Sequence, residues 1–254
     1  IKTDYSSLTR VRELLGEIIS RNRYGLSAAG HSTALKRAGS YISSADKFGD
    51  LASGYSFYKF VCELSQMNDV NLKKEIEKAD AAVRELLKSN AMMLDITCTA
   101  ELLEGAKESI EKLVEVFPKG ERPASDRGRI FETELKNEGF KTSGEVNYLA
   151  VAGRFGDKGS KNMAAIELLK VILSRDYLYN RLRVLGGAYG CGFACNAVKG
   201  IGYFYSYRDP QMKKTLEVYK AAADYVRSFD ADEREMTKYI IGTIGDADHI
   251  LCHL

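Results

Sequence analysis

Residues 181–210 read RLRVLGGAYGCGFACNAVKGIGYFYSYRDP, and this stretch decides how the second half of the chain folds. It holds six of the 22 glycines and four of the 15 tyrosines, and its only acidic residue is Asp209. Small and apolar residues over 188–198 and 201–207 predict two strands joined at Lys199 and Gly200. We therefore expect a hairpin, preceded by a glycine-rich turn that carries one arginine and one tyrosine.

Helices are predicted on both sides of this hairpin. Apolar residues recur at helical spacing over 161–185, where Ser160 is expected as the cap, and again over 231–244. Pro210 is expected at the start of another helix, since its missing N–H costs nothing there. With a further strand at 144–153, the second half of the chain predicts an antiparallel α+β layer.

The first half of the chain predicts helices followed by one strand. Four helices are expected in the first ninety residues: 4–21, 27–44, a third that begins at Ser56 after a break at Gly49–Gly54, and 70–89. Residues 91–99 (AMMLDITCT) form a short apolar run with β-branched members, which predicts a buried strand, and a helix is expected at 101–117.

A domain boundary is expected between these halves. Residues 118–130 (PKGERPASDRGRI) hold two of the three prolines and four basic residues, a composition typical of linkers. We predict a first domain at 1–117, a linker or domain entry at 118–143 and a second domain at 144–254. Both domains are expected to pack helices on a mostly antiparallel sheet, in the α+β class, and both to be incomplete.

The balance of charge argues against nucleic acid as the main partner. The chain has 37 basic and 35 acidic residues, a net charge of +2, so no basic excess is available to neutralise phosphates. No run of 18 apolar residues occurs, and residues 1–10 lack the basic and apolar regions of a signal peptide. We expect no contact with a membrane, and a chain that begins inside a longer protein.

The cysteines and histidines predict no metal site in this chain. Five cysteines, an odd number, indicate free thiols in a reducing compartment. Four residues apart on a strand, Cys191 and Cys195 would lie ~13 Å from each other, too far to share one zinc ion. His31 is expected to pack in a helix of small residues, while His249 and His253 lack a recognised ligand spacing.

Two candidate functional residues flank Gly186 and Gly187, where the backbone can bend sharply or approach a ligand. Arg183 offers a planar fork for carbonyl or carboxylate oxygens, and the Tyr189 hydroxyl can donate to a developing oxyanion. Spacing alone leaves a second interpretation open, in which Arg183 caps the helix and Tyr189 lies on a rim.

Three tyrosines alternate along the second predicted strand of the hairpin. Tyr203, Tyr205 and Tyr207 share one face, with Phe204 on the other. This face is expected either to pack under a helix or to form an aromatic wall for an extended peptide. Asp209, directly before Pro210, suits the cap of the following helix.

The strings LRVLGGAYGCG, GYFYSYRDP and DADEREMTKYIIGTIGD resemble the C-terminal half of the presequence-protease and falcilysin family. This family is a branch of the pitrilysin/insulinase clan of zinc metallopeptidases. Arg-x-x-Gly-Gly-Ala-Tyr-Gly and Tyr-Arg-Asp-Pro are together characteristic of the branch. LSAAGHSTALKRAGSY, through to the expected strand and helix that end at Phe117, resembles its third domain and associated region. The resemblance therefore covers most of the chain.

The resemblance implies two homologous halves, each with two α/β domains, closed around a chamber. Zinc would be held in the first half by an inverted His-x-x-Glu-His motif, which does not occur in these 254 residues. An arginine and a tyrosine of the fourth domain would reach the substrate, and their motif positions match Arg183 and Tyr189. Tyr189 would then assist the oxyanion and Arg183 would hold the substrate or support Tyr189, with Gly186, Gly187, Ala188 and Tyr205 as substrate-binding residues.

On this resemblance the chain is expected to be a C-terminal fragment of a zinc-dependent endopeptidase of unfolded peptides, inactive by itself. It would comprise part of the third domain at 1–117 and part of the fourth at 144–254. Its partners would be the peptide substrate, the N-terminal half that binds zinc, and a second copy through exposed faces. The expected compartment is the cytoplasm, with an organelle matrix as the alternative. The alternative functions are a non-catalytic subunit of the same clan that binds peptides or partners, and an unrelated interaction module.

Overall fold

The computed structural model describes residues 5, 7–88, 93–120, 130–142, 144–156 and 162–248. Within these ranges the helices are α1 (Leu8–Ala28), α2 (Gly30–Ser40), α3 (Ser44–Ser53), α4 (Tyr55–Gln66), α5 (Asp69–Leu86), α6 (Leu103–Glu115), α7 (Met163–Ile172), α8 (Met212–Arg227) and α9 (Glu233–Asp248). The strands are β1 (Asn147–Arg154), β2 (Gly190–Asn196) and β3 (Ile201–Asp209). This combination confirms the predicted α+β class.

The chain divides into two compact units that are not continuous in sequence. Unit 1 comprises Ile1–Glu17 and Val61–Ile130, and unit 2 comprises Ile18–Phe60 and Phe131–Leu254. Unit 2 contains the sheet and every candidate site residue. None of the described helices combines the length and the apolar character needed to cross a membrane.

The sheet of unit 2 is antiparallel, with β3 in the centre of the order β1-β3-β2. The hairpin of β2 and β3 confirms the prediction from residues 188–207. On one face, Tyr177, Leu178 and Leu182 pack with Tyr219 of α8 in the main core.

The opposite face of β3 lies under α2 and α3. His31 contacts Tyr205 and Tyr207, and the Tyr203 hydroxyl donates to Asp46 Oδ2 at 3.0 Å. Phe204 points the other way and stacks on Tyr219, with 5.2 Å between ring centroids. The predicted alternation is therefore confirmed, and the three tyrosine rings lie under helices.

The long helix before the hairpin changes its hydrogen-bonding pattern halfway. After α7 the chain continues as a π-helical segment over Leu173–Val184, in which side chains at Leu173, Tyr177, Leu178 and Leu182 are buried. The Leu185 N–H donates to the Asn180 carbonyl, five residues back, at 3.0 Å. Helical spacing predicted the extent of this element but not its wider winding. Ser160 and Lys161, where its start and cap were expected, lie outside the described residues.

Two predictions for the first half of the chain are wrong. Residues 93–99 form no strand and are mostly exposed, with Met93 95% accessible, because nothing described pairs with them; residues 91 and 92 lie outside the described part. Residues 8–86 form five helices rather than four, because Gly49 lies inside α3 and the break falls at Gly54. There Asp50 Oδ1 accepts the Tyr55 N–H at 3.1 Å, and this cap leaves no room for a side chain at Gly54.

One prediction beside the hairpin also needs correction. Pro210 does not begin a helix, since α8 starts at Met212 and Gln211 lies between them. The predicted helix at 101–117 is confirmed as α6, and the strand at 144–153 as β1.

Candidate functional site

A four-residue turn at Gly186–Tyr189, here called the glycine turn, leads from the π-helical segment into β2. Gly187 has a φ of +79°, in the left-handed region that glycine adopts without strain. The Ala188 N–H donates to the Leu182 carbonyl at 2.9 Å, which closes the helix, and the Ala188 side chain is buried in the core. The glycine turn is therefore fixed to the body of unit 2.

Tyr189 combines a fixed backbone with an accessible ring. Its N–H is shared between the carbonyls of Tyr207 and Arg208, at 3.1 and 3.3 Å. Its side chain is 62% exposed and meets the Tyr207 ring edge-on, with 5.7 Å between centroids. The phenol is therefore presented to solvent from a rigid position.

Arg183 lies beside Tyr189 and contacts it twice. Its guanidinium donates a hydrogen bond to the Tyr189 carbonyl, and its central carbon lies 5.2 Å from the centroid of the Tyr189 ring. The same carbon lies 5.9 Å from the centroid of the Tyr179 ring. The two sequence-predicted residues are thus brought together, with Arg183 placed to support the tyrosine through hydrogen bonding and cation–π attraction.

The remaining predicted site residues occupy different surroundings. Gly186 accepts a hydrogen bond from Gln211 Nε2 at 2.9 Å, and a methyl group on it would lie 2.6 Å from the Leu182 carbonyl. Tyr205 is half-buried, 6.4 Å from His31 between ring centroids, and burial raises the pKa of its hydroxyl. Gly186, Gly187 and Ala188 therefore line one turn with Tyr189, whereas Tyr205 lies under α2.

Sequence reasoning did not identify Gln211 and Asp209 as part of this arrangement. Asp209 is 1% exposed, and its carboxylate accepts the Gln211 N–H at 2.8 Å and the Thr215 hydroxyl at 2.6 Å. The signal in the sequence was Asp209 before Pro210, which predicted a helix cap. The contact between Gln211 and Gly186 had no such signal, because it depends on the pairing of β2 with β3.

The described residues do not fit a zinc ion. No three histidine, cysteine or acidic side chains within the described ranges lie close enough to share a metal. Burial raises the pKa of the Cys191 thiol to about 11 and that of Cys195 to about 12, so both stay protonated at neutral pH and are poor ligands. His249, Cys252 and His253 lie outside the described residues.

Comparison with known proteins finds two family models on this chain. The model described as "PreP C-terminal domain" matches residues 137–252, and a model for a peptidase-associated region matches residues 1–64. The two matches correspond to the two parts of the sequence that carried the resemblance.

Curated relatives match almost the whole chain. Protein HypA of Clostridium perfringens is 36% identical over 253 residues, which are 97% of this chain and 25% of that protein. Presequence protease 1, chloroplastic/mitochondrial, of Arabidopsis thaliana is 28% identical over 253 residues, 97% of this chain and 23% of that protein. The mitochondrial presequence protease of Saccharomyces cerevisiae is 25% identical over 252 residues, 93% of this chain and 26% of that protein. The chain thus spans about a quarter of the length of these relatives.

Proposed function

Because this chain belongs to the presequence-protease family of peptidases, we propose that it supplies the substrate-side residues of a peptidase active site. Tyr189 is the residue that would stabilise the transition state, by donating its hydroxyl hydrogen to the oxygen that becomes negative during peptide-bond cleavage. Arg183 would orient Tyr189 and contribute positive charge next to it.

The observation that carries this proposal is the rigid backbone of an exposed Tyr189. Donors that stabilise an oxyanion act best when they need no rearrangement during the reaction. The Tyr189 N–H is held by β3, its carbonyl by Arg183, and its ring faces solvent. Such a side chain is typical of a functional position, since a packing tyrosine buries its ring and pairs its hydroxyl.

The rest of the site would come from a longer parent protein. The relatives are about four times as long as this chain, and the described residues offer no group that fits zinc. We therefore propose that zinc is held by a part of the parent outside this chain, which would be the main partner of unit 2. The isolated chain would then not cleave peptides.

The proposed substrates are unfolded peptides rather than folded proteins. An enclosed chamber, as the resemblance implies, admits only chains small or flexible enough to enter. The plant and yeast relatives have organellar names, so an organelle matrix stays the alternative to the cytoplasm as the proposed compartment.

The test is the substitution Tyr189→Phe in the full-length parent, assayed on an unstructured peptide. Loss of one oxyanion donor should lower kcat by about 100-fold and leave KM nearly unchanged. Tyr24→Phe is the matched control, since Tyr24 is 75% exposed on α1 and should leave kcat unaltered. Unchanged turnover by the Tyr189→Phe parent would sink the assigned role. A wild-type parent that binds the peptide without cleaving it would favour the non-catalytic alternative.

A further inference from the structure

The glycine turn lies against a second turn, here called the proline turn (residues 208–211), which joins β3 to α8. The Tyr189 N–H donates to the Arg208 carbonyl at 3.3 Å, and Gln211 Nε2 donates to the Gly186 carbonyl at 2.9 Å. A methyl group at Gly187 would lie 3.5 Å from Pro210 Cγ, in van der Waals contact. Both ends of the glycine turn are therefore held by the proline turn.

Asp209 fixes the shape of the proline turn from inside. Its Oδ1 accepts the N–H of Gln211 at 2.8 Å, and its Oδ2 accepts the Thr215 hydroxyl at 2.6 Å. Its carbonyl accepts from Asn147 Nδ2 at 2.9 Å, which ties the turn to β1. One buried side chain thus links β3, the proline turn and the first turns of α8.

This arrangement is costly for folding at two points. Arg208 has a φ of +49°, which is uncommon for a residue other than glycine, and it lies in a bulge where β3 advances three residues while β1 advances two. Asp209 is a buried carboxylate, and no ion pair with it occurs among the described residues. Strained and costly groups of this kind cluster where a structure must hold a functional residue.

We infer that Asp209 and Gln211 are positioning residues for Tyr189. Asp209 holds the proline turn, and the proline turn holds the glycine turn through the Arg208 carbonyl and the Gln211 side chain. The catalytic meaning of this link rests on the proposed function of Tyr189. The mechanical link between the two turns does not, and it can be measured separately.

The link is measured by amide hydrogen exchange of Tyr189 in the full 254-residue chain, followed by NMR. Asp209→Asn and Gln211→Ala should each raise the exchange rate of the Tyr189 amide about tenfold, the effect of losing one hydrogen bond. Asp230→Asn and Gln66→Ala are the matched controls, since both residues lie outside the two turns and away from the sheet. Wild-type exchange in both turn variants would overturn the inference. If Asp209→Asn does not fold, Gln211→Ala decides by itself.

The catalytic consequence is measured by a double-mutant cycle in the full-length parent. Gln211→Ala should lower kcat about tenfold with little change in KM, and it should have no further effect in a parent that already carries Tyr189→Phe. An equal loss of kcat in both backgrounds would mean that Gln211 acts on the fold in general, and would overturn the positioning role. If Tyr189→Phe alone leaves kcat unchanged, the proposed function fails, while the exchange rates still decide whether the turns are linked.

Discussion

Arg37 is the residue on which a buried charge cluster of unit 2 depends. Its Nη1 donates to Asp50 Oδ2 at 2.7 Å, and its Nε donates to Glu138 Oε2 at 2.7 Å. The Tyr41 hydroxyl donates to the same Glu138 oxygen. Asp50 is fully buried and caps α4 at Tyr55, so its charge is compensated within the fold. Glu138 therefore anchors the extended segment 130–142 to α2.

This anchor predicts a loss of stability in acid. The hydrogen bond from Arg37 lowers the pKa of Glu138 below its ordinary 4.5, so the folded state favours the ionised form. The stabilisation is complete above pH 4.5 and is lost as the pH falls through the lower, folded-state pKa. Glu138→Gln should reduce the free energy of unfolding at neutral pH by about 1–2 kcal/mol and weaken its decline in acid.

Urea unfolding at about pH 7 and about pH 3 checks this prediction, because the wild-type chain should lose more stability between them than Glu138→Gln does. Glu134→Gln is the control on the same segment, since Glu134 is exposed and pairs only with Lys136, at 3.0 Å. An identical acid response of Glu138→Gln and the wild-type chain would contradict the assigned role.

Among the elements, β2 is an edge strand that a helix protects. The Phe193 N–H donates to Ser174 Oγ at 3.0 Å, and the same hydroxyl donates to the Phe193 carbonyl at 3.2 Å. Ser174 lies on the π-helical segment, so one side chain of that segment satisfies both outward groups of Phe193. This contact fixes the π-helical segment, and with it Arg183 at its end, against the hairpin.

Ser174→Ala should therefore destabilise the chain more than an ordinary serine substitution. It leaves two part-buried backbone groups of Phe193 without this partner, and should lower the free energy of unfolding by about 1–3 kcal/mol. Ser109→Ala on α6 is the control, because its hydroxyl only donates to the Gly105 carbonyl at an exposed position. Denaturant titration of both variants measures the difference. Equal stability of the two would refute the special role of Ser174.

The elements show which features the sequence could predict. The hairpin was predictable because alternation and the Lys199–Gly200 turn are local signals. The strand at 91–99 was not, because apolar and β-branched composition indicates a strand only when a partner strand lies beside it, and residues 93–99 have none described. The break at Gly54 was misplaced because it depends on where the Asp50 side chain turns back.

The candidate site was predictable only in part for a similar reason. Arg183 and Tyr189 were named from a motif, and the structure brings them into contact. The role inferred for Asp209 and Gln211 depends on the bulge at Arg208 and on the pairing of β3 with both its neighbours. Such contacts between turns distant in sequence leave no periodic pattern, so only the folded chain reveals them.

At the scale of the whole molecule, the two units bury very different amounts of apolar surface. Within the described residues, unit 1 has three buried apolar side chains, Leu15, Val61 and Leu72, whereas unit 2 has twelve. Helix α6 of unit 1 buries none of its side chains, and Val116 directly after it is 69% exposed. A helix gains most of its stability from packing an apolar face, so α6 has little to hold it.

We therefore predict that α6 opens before the helices of unit 2 in the isolated chain. Its 13 residues are marginal as an isolated helix in water, and its exposed Lys107 and Lys112 are trypsin sites. Helix α8 is the internal comparison, since it also carries lysines, Lys213 and Lys214, but buries Thr215, Tyr219 and Ala222. Brief digestion with dilute trypsin, followed by mass spectrometry, should show cuts in α6 first, because cleavage follows the population of the locally open state. Earlier or simultaneous cutting in α8 would mean that burial does not set the order of opening in this chain.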